Sequence, residues 1–445
     1  MTSERECYVY MVPPEETEFV TVGRFELNRT RDGDPMGRFV YGRSWLARED
    51  AVPLDPVELR LREATYETTR MGGIFGAIRD SMPDFWGRRV IERNSNITLL
   101  DELDYLLKGP DDRAGALGFG LNVAPPAPRR QFNRTLDLEH LQAAADALMQ
   151  DNPELAGSAA AQVEELLLVG SGMGGARPKV VVEEADDLWI AKFSRPDDRW
   201  SYPRAEHGLL GLAATCGLDV AGSKLSTVAG RDVLLVRRFD RDRAENRAYR
   251  RHRQVSALTL LQSEESDRSR WSYLLFADEL RRSSANPTAD LKELFARMSF
   301  NAIVSNIDDH PRNHAILAKD RYWRLSPAYD LTPTPQISKD SRDLAMACGT
   351  HGRTATRQNL LSGHGRFLLE RDDAESIVDS MVDAVRSEWH ATMRRAGLSE
   401  PDCERIASAF LYDGFFTTAK TAKHERRHDL TRAHRTCSEG RSIAT

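Results

Sequence analysis

Apolar residues dominate three short runs near the start of the chain, residues 6–11, 19–27 and 38–41, which are rich in aromatic and β-branched side chains. Short runs of this composition are typical of β-strands. A Pro-Pro pair and the polar stretch 31–35 separate the runs and indicate turns. We therefore predict a small antiparallel sheet at the N-terminus.

The pattern changes to a helical period after this sheet. Apolar residues recur every three or four positions roughly over 80–107 and again over 137–150. Between these segments, residues 122–130 contain Ala-Pro-Pro-Ala-Pro, which predicts an extended connection.

A second mixed region begins near residue 160. Its apolar runs predict strands around 166–169, 179–183, 189–193 and 233–236, with a helix over about 203–216. The order is therefore strand, glycine-rich turn, strand, strand, helix and strand.

After residue 255 the chain is mostly helical, with a polar, irregular interruption over 305–336. Helices are predicted near 373–396 and 400–418. The end, residues 420–441, is rich in Arg and His, and we expect it to fray.

Composition narrows the functional class. The 445 residues fit two to three domains, and the 40% hydrophobic and 29% charged residues are typical of soluble globular proteins. A net charge of −6 disfavours a protein dedicated to nucleic-acid binding. Since no apolar run has the length of a membrane-spanning helix and the N-terminus lacks signal-peptide features, we expect a cytoplasmic protein without membrane contact.

The five cysteines are widely spaced and form no C-x-x-C pair. That spacing argues against a disulfide scaffold, a zinc ribbon and an Fe–S site. We expect buried, neutral thiols instead.

The first candidate for chemistry is a glycine-rich stretch, residues 169–179, which contains Gly172, Gly174 and Gly175 and ends at Lys179. Glycine lets backbone N–H groups approach phosphates. The stretch lacks the Gly-Lys-Ser/Thr ending of a Walker A loop, and it lies between two predicted strands, like the loop over the nucleotide in protein kinases. An ordinary glycine-rich hairpin has the same composition.

Lys192 lies inside a predicted strand, in the sequence Leu-Trp-Ile-Ala-Lys-Phe. This setting matches the strand lysine of kinases, which pairs with the α- and β-phosphates. The next predicted helix carries Glu206, where a kinase-type Lys–Glu ion pair requires an acid. A lysine on the exposed face of an edge strand is the structural alternative.

The sharpest signal is the segment 305–313, Ser-Asn-Ile-Asp-Asp-His-Pro-Arg-Asn. Asp308 and Asn313 have the spacing of the catalytic Asp and metal-binding Asn in the kinase catalytic loop, and Asp309 fits it less well. A carboxylate can accept the proton of an attacking hydroxyl, and an amide oxygen can bind Mg²⁺. His310, in the same polar cluster, is a further candidate for nucleotide binding.

Asp330 follows this segment after a predicted β-hairpin. A kinase places its Mg²⁺-binding Asp after such an insertion, although the Asp-Phe-Gly sequence itself is absent here. A helix N-cap is the alternative reason for an aspartate at this position. Each signal is weak alone, but the order of glycine loop, lysine, glutamate, Asp-x4-Asn, hairpin and aspartate is that of a kinase.

Five segments resemble those of a known family. They are Phe75-Gly-Ala-Ile-Arg-Asp-Ser-Met-Pro-Asp-Phe-Trp-Gly-Arg-Arg89, Gly174-Gly-Ala-Arg-Pro-Lys179, Val236-Arg-Arg-Phe-Asp-Arg241, Asn306-Ile-Asp-Asp-His-Pro-Arg-Asn313 and Leu325-Ser-Pro-Ala-Tyr-Asp330. The chain thereby resembles the HipA family, the serine/threonine kinase toxins of bacterial toxin–antitoxin pairs. The resemblance extends from about residue 6 to about residue 415.

This resemblance implies a protein-kinase-like two-lobed α+β fold behind a small N-terminal β-rich subdomain, with ATP and Mg²⁺ as cofactors. By position, Lys192 would bind phosphate and Asp308 would be the catalytic base. Asn313 and Asp330 would hold the metal ion.

The hinge and the glycine loop depart from the family pattern. Phe239 would lie against the adenine, with the backbone from Arg237 onward as the hinge, but Arg237 stands where some members have Glu. Members often carry a loop serine whose phosphorylation switches the kinase off. Gly172 occupies that place here with Ser171 beside it, and we predict that Ser171 is modified.

The resemblance and the pattern together define the expected domains. They are an N-terminal subdomain at 1–110, a connecting segment and helix at 111–150, a kinase N-lobe at 151–245, a helical C-lobe at 246–418 and a basic tail at 419–445.

The expected function is phosphorylation of a host protein, of the kind typified in the family by aminoacyl-tRNA synthetases, to arrest growth. The implied partner is a small helix-turn-helix antitoxin, HipB-like, through which DNA is reached only indirectly. Three alternatives stay open: a small-molecule kinase, a pseudokinase that acts as an antitoxin-binding co-repressor, and direct nucleic-acid binding through the basic tail.

Overall fold

The computed structural model describes residues 5–95, 100–149, 177–335, 338 and 340–417. The predicted loop residues Ser171, Gly172, Gly174 and Gly175 lie outside the described residues, as do the predicted strand at 166–169 and the basic tail at 419–445. Within the described part, no helix is both long and apolar enough to cross a membrane.

The N-terminal sheet has the three predicted strands and two more. Its strands are β1 (Arg5–Met11), β2 (Val20–Arg29), β3 (Pro35–Tyr41), β4 (Thr65–Thr68) and β5 (Leu117–Gly120). They pair antiparallel in the order β4-β3-β2-β1-β5. Val9 and Met11 of β1 are buried in the main core, and Tyr10, on the other face of the strand, is buried in a smaller cluster with Phe19.

Four short helices accompany this sheet. They are α1 (Arg43–Leu46), α2 (Gly76–Asp80), α3 (Phe85–Asn94) and α4 (Glu102–Lys108). Aspartates begin the last two, since Asp84 accepts a hydrogen bond from Gly87 N and Asp101 accepts one from Asp104 N.

A second five-stranded sheet follows. Its strands are β6 (Asn133–Arg134), β7 (Lys179–Glu184), β8 (Asp187–Phe193), β9 (Ser223–Val228) and β10 (Arg231–Arg237), in the order β6-β7-β8-β10-β9. Helix α5 (Leu138–Met149) packs its apolar side against one face, where Val180, Ala191 and Val233 lie. Because side chains alternate along a strand, Lys192 faces the opposite side of the sheet.

The second sheet with α5 and helix α6 (Tyr202–Thr215) forms the first lobe, and the mainly helical chain that follows forms the second lobe. Helix α6 packs against β9 and β10 and also against the long helix α11 (Arg371–Arg395) of the second lobe. Gly208 allows this approach, because a Cβ there would lie 2.7 Å from the sulfur of Met393. The helix that carries Glu206 therefore packs against both the second sheet and a helix of the second lobe.

The second lobe is mainly helical. Besides α11 it contains α7 (Ala257–Leu260), α8 (Tyr273–Ser283), α9 (Pro287–Ile303), α10 (Arg357–Ser362) and α12 (Glu400–Ile406). The fully buried residues of α9, such as Leu294 and Met298, belong to its core.

Two small sheets complete the structure. A hairpin of β11 (Arg241–Arg243) and β12 (Tyr249–Arg251) follows β10. Strands β13 (Arg253–Ser256), β14 (Ala315–Ala318) and β15 (Arg324–Leu325) form the third sheet. The β14–β15 pair is the hairpin predicted between Asn313 and Asp330.

Candidate active site

The predicted strand lysine lies at the centre of a charged cluster. Lys192 Nζ donates to Glu206 Oε1 at 2.6 Å and to Asp330 Oδ1 at 2.7 Å. Burial opposes the charge of Lys192, but Asp330 and then Glu206 outweigh it and raise the lysine pKa. Three residues that are widely separated in the sequence thus meet at one ammonium group.

Asp330 remains ionised in this cluster. Burial alone would raise the pKa of its carboxyl group, but Lys192 and then Lys179 lower it below the ordinary range. Burial raises the pKa of Glu206 although Lys192 opposes that effect. The Asp330 side chain is 41% exposed, so a ligand can reach it from solvent.

The backbone at Asp330 has a left-handed conformation, with φ at +59°. Aspartate and asparagine tolerate that region better than other residues with a Cβ. The preceding segment is fixed by Ala328, whose N–H donates to Asp219 O at 2.8 Å and whose carbonyl accepts from Ala221 N at 2.9 Å. The turn therefore aims the Asp330 carboxylate at Lys192.

The loop that carries Asp308, residues 305–314, follows α9. Asp308 is exposed, whereas Asp309 is 1% exposed and accepts hydrogen bonds from Tyr273 Oη and, at 2.7 Å, from His314 Nε2. These contacts fix the backbone on one side of Asp308 and leave the Asp308 carboxylate itself at the surface.

Asn313 lies in a short 3-10 turn, Pro311–Asn313, and is nearly buried. The backbone N–H of Asn313 donates to His310 O at 2.8 Å, but among the described residues no group hydrogen-bonds to the side-chain amide of Asn313 or to the carboxylate of Asp308. Since buried polar groups are normally hydrogen-bonded, the Asn313 amide is available for a ligand.

His310 borders this loop. Its ring lies 6.3 Å from that of Trp271, edge to face, and it is close enough to Asp330 to contribute to lowering the pKa of that carboxyl. The structure therefore brings His310 near Asp330, the predicted metal ligand. The space beside Lys192, Asp330 and the 305–314 loop is called the cleft below.

The carboxylate of Asp330 and the amide oxygen of Asn313 are hard oxygen donors of the kind that Mg²⁺ prefers. In the described ranges, no group of three or more His, Cys, Asp or Glu side chains is arranged to hold a metal ion by itself. This donor set fits Mg²⁺, which proteins commonly hold through one or two carboxylates together with substrate phosphates.

Lys179 is the cross-strand neighbour of Lys192 and is buried. Its Nζ lies 3.8 Å from Asp84 Oδ2, at the start of α3 in the N-terminal region. Burial lowers the pKa of Lys179, and burial raises the pKa of Asp84 to about 6 against the attraction of Lys179. Sequence reasoning singled out Lys179 but not its partner Asp84.

The predicted hinge residues line a cavity of about 700 Å³. Arg237 is exposed and pairs with Asp187 at 2.7 Å, while the ring of Phe239 lies 5.5 Å from that of Tyr329, the residue before Asp330. The cavity also contacts residues 219–222 and the β14–β15 hairpin, but not Lys192, Asp308, Asn313 or Asp330.

Behind the hinge lies a buried set of charges that sequence reasoning missed. This hinge network consists of Asp112, Arg238, Asp240 and Arg241, whose side chains are at most 3% exposed. Arg238 donates to Asp112 at 2.6 Å and to Asp240 at 2.8 Å. The dense charges in Arg-Arg-Phe-Asp-Arg, directly after an apolar strand, were the only available signal.

Two protein-family models and a curated relative match this chain. The model of the HipA N-terminal domain matches residues 20–120, and that of the HipA-like C-terminal domain matches residues 171–389. Putative kinase Y4mE of Sinorhizobium fredii (strain NBRC 101917 / NGR234) is 29% identical over 388 residues, which are 82% of this chain and 88% of that protein.

A solved structure shows the same fold. HipA of Shewanella oneidensis MR-1, in a complex of HipA, HipB and operator DNA, superposes with a TM-score of 0.65 at 16% identity. The match covers 91% of this chain and 94% of that chain. The two lobes and the Lys–Glu–Asp cluster between them thus define a protein-kinase-like α+β fold. The chain belongs to the HipA family.

Proposed function

We propose that this protein is an ATP- and Mg²⁺-dependent kinase that phosphorylates serine or threonine in a host protein. The observation that carries the proposal is the position of Lys192 Nζ, within hydrogen-bond distance of both Glu206 and Asp330. In phosphoryl transfer a protein acts mainly by positioning and by neutralising charge, and this cluster provides both.

The residues of the cleft have separate roles in this proposal. Lys192 binds phosphate oxygens while Glu206 holds its ammonium group in place. Asn313 and Asp330 would hold Mg²⁺, which supplies positive charge to the phosphates when bound. Lys179 and His310 lie beside these groups and add further contacts to the nucleotide.

Asp308 is the proposed base. Its exposed carboxylate can approach the hydroxyl of an acceptor that enters from solvent. As the hydroxyl oxygen bonds to the γ-phosphorus, the bond from that phosphorus to ADP breaks and the hydroxyl proton passes to Asp308. Asp309 cannot take this role because its carboxylate is buried against Tyr273 and His314.

We further propose that a HipB-like helix-turn-helix antitoxin binds this chain and that DNA is reached through it. The similar HipA from Shewanella oneidensis was solved with HipB and operator DNA. The net charge of −6 agrees with indirect rather than direct DNA contact. The proposed self-phosphorylation of Ser171 is tested separately, by mass analysis of the loop peptide after treatment with ATP.

The test is transfer of labelled γ-phosphate from Mg·ATP in cell lysate, with Asp308→Asn as the inactive reference. The expected result is a discrete labelled protein that appears with the wild type only. Labelled metabolite without labelled protein would instead establish a small-molecule kinase. Nucleotide binding without any transfer would favour a pseudokinase that acts as a co-repressor.

A further inference from the structure

A nearly buried carboxylate of the N-terminal region contacts the second lobe. Asp80, the last residue of α2, accepts hydrogen bonds at 2.7 Å from Ser256 N, Ser256 Oγ and Thr259 Oγ1. Arg312 Nη1 also donates to Asp80 Oδ1, at 3.2 Å. Because Arg312 lies between Asp308 and Asn313, Asp80 is bonded directly to the 305–314 loop.

A second aspartate of the same region contacts the first lobe. Asp84 lies 3.8 Å from the ammonium group of Lys179, on the strand next to Lys192. Trp86 strengthens this junction, because its indole N–H donates to Lys179 O at 3.0 Å. The side chain of Trp86 is fully buried against the outer face of the second sheet.

Only residues 81–83 separate the two aspartates, and both lie on short helices that the N-terminal core holds in place. A negative charge at the C-terminal end of α2 does not stabilise that helix, since helix C-termini favour cations. The contacts of Asp80 therefore hold the N-terminal region to the second lobe rather than stabilise α2.

We propose that Asp80 and Asp84 are positioning residues for phosphoryl transfer. Residues 76–94 form a bridge that fixes the 305–314 loop relative to Lys179 and its neighbour Lys192, and their role in transfer rests on the proposed function. Asp80 sets the position of the proposed base, and Asp84 sets that of the phosphate-binding lysines. The N-terminal region is then part of the catalytic unit.

The test compares Asp80→Asn and Asp84→Asn in the full chain, with Asp55→Asn as the matched control. Asp55 is also fully buried in the N-terminal region, where, among the residues that the structure describes, it accepts hydrogen bonds only from Val57, Glu58 and Leu59 N–H. Amide hydrogen exchange over 305–314 and over 177–184 reports position without any need for turnover. The rate of γ-phosphate transfer from Mg·ATP to protein in cell lysate, and the KM for Mg·ATP in that assay, report function.

Asp80→Asn is expected to speed exchange over 305–314 and to lower kcat at least about tenfold, since small misplacements of reacting groups are costly. Its KM for Mg·ATP should change by less than about twofold, because the lysines are untouched. Asp84→Asn is expected to raise KM and to speed exchange over 177–184. Asp55→Asn should leave both exchange and kcat as in the wild type.

Equal exchange in all three variants and the wild type would overturn the inference. So would a uniform loss of kcat in all three, because that would reflect general destabilisation. If the wild type transfers no phosphate to protein, the proposed function fails, whereas the exchange data still decide whether the bridge exists. If Asp80→Asn does not fold, Thr259→Val removes one of its bonds and must give the same direction of change.

Discussion

Two clusters of buried charge lie within this molecule, and they differ in how completely they are paired. In the hinge network, two arginines and two aspartates neutralise one another and are at most 3% exposed. Further bonds from Arg238 to Arg113 O and from Gly115 N to Asp240 occupy the remaining positions. Near the proposed metal site, by contrast, Lys192 binds two carboxylates, one of which, that of Asp330, has a side chain that is 41% exposed.

The difference separates structural from functional charge. A closed, neutral network has no group left for a ligand and serves to join residues 112–115 to the hinge. An open cluster keeps a carboxylate and an amide that a metal ion and phosphates can use. Burial of charge is thus not the mark of the site, whereas incomplete pairing beside solvent is.

The largest expected effect on stability is in the hinge network. Arg238→Gln leaves Asp112 and Asp240 buried without their cation, and breaking such a pair costs about 3–5 kcal/mol. The free energy of unfolding, measured with urea, should fall by that amount. A loss below about 1 kcal/mol would show that water enters the network and that it is not closed.

The buried carboxyl group of Asp55, which is bonded to no cation among the described residues, should make the unfolding free energy depend on pH. Burial raises the pKa of Asp55 to about 6, although backbone N–H groups oppose the shift. Since the folded state then holds this proton more tightly than the unfolded chain, Asp55 lowers the unfolding free energy as pH rises from about 4 to about 6. Asp55→Asn does not titrate, so its stability relative to the wild type should grow over this window by up to about 3 kcal/mol.

The measurement is urea unfolding of both proteins at about pH 3.5 and about pH 7.5, which lie on either side of the window of about 4 to 6. A difference between the two proteins that is the same at both pH values would contradict the assignment. Asp84, with its pKa also raised to about 6, is present in both proteins and cancels in the comparison.

In the open cluster, Asp330→Asn should affect ligand binding more than folding. Asparagine tolerates the left-handed backbone at this position, and Lys192 keeps its bond to Glu206. Nucleotide affinity in Mg²⁺ should fall about 10–100-fold, or about 1.4–2.7 kcal/mol, and become nearly independent of the metal ion.

Equilibrium binding of ATP with Mg²⁺ and with EDTA provides the readout. Asp343→Asn, in the polar segment beyond the cleft, serves as the control. An undiminished Mg²⁺ dependence in Asp330→Asn would remove this residue from the metal site.

The smallest change in unfolding free energy is expected at Arg237, the residue directly before Arg238. Arg237→Gln removes a cation whose side chain is 51% exposed and which pairs with Asp187. Exposed ion pairs contribute about 0–1 kcal/mol, so unfolding by urea should be almost unchanged. A loss as large as that of Arg238→Gln would erase the distinction between the two adjacent arginines.

Much of the fold was accessible from local pattern. The β-rich runs at 6–11, 19–27 and 38–41 correspond to β1, β2 and β3, and the helical period at 137–150 corresponds to α5. Periodicity succeeds there because one face of each element is buried against a continuous core. The short strand β4, whose four residues carry little pattern, was not predicted.

The cleft was predictable in part, because the order of kinase-like motifs placed Lys192, Glu206 and Asp330 in one site. The structure brings all three together. The positions of Gly172 and Ser171 remain predictions, since they lie outside the described residues.

Other contacts of the site could not be predicted. Asp80 and Arg312 are 232 residues apart, and their contact depends on how the N-terminal region docks on the second lobe. The same holds for Asp112 and Arg238, which are 126 residues apart. No local period encodes such pairs, so only the assembled fold reveals them.

The most direct test of the account is Asp308→Asn in the purified full chain, with binding and transfer measured on the same sample. At saturating Mg·ATP, phosphate transfer should fall about 10²–10⁴-fold, as expected for a lost base. ATP affinity should stay within about twofold of the wild type, because among the described residues Asp308 has no hydrogen bond or ion pair to Lys192, Asn313 or Asp330. Transfer that persists at the wild-type rate would contradict the assignment of Asp308 and the open cleft as the catalytic site.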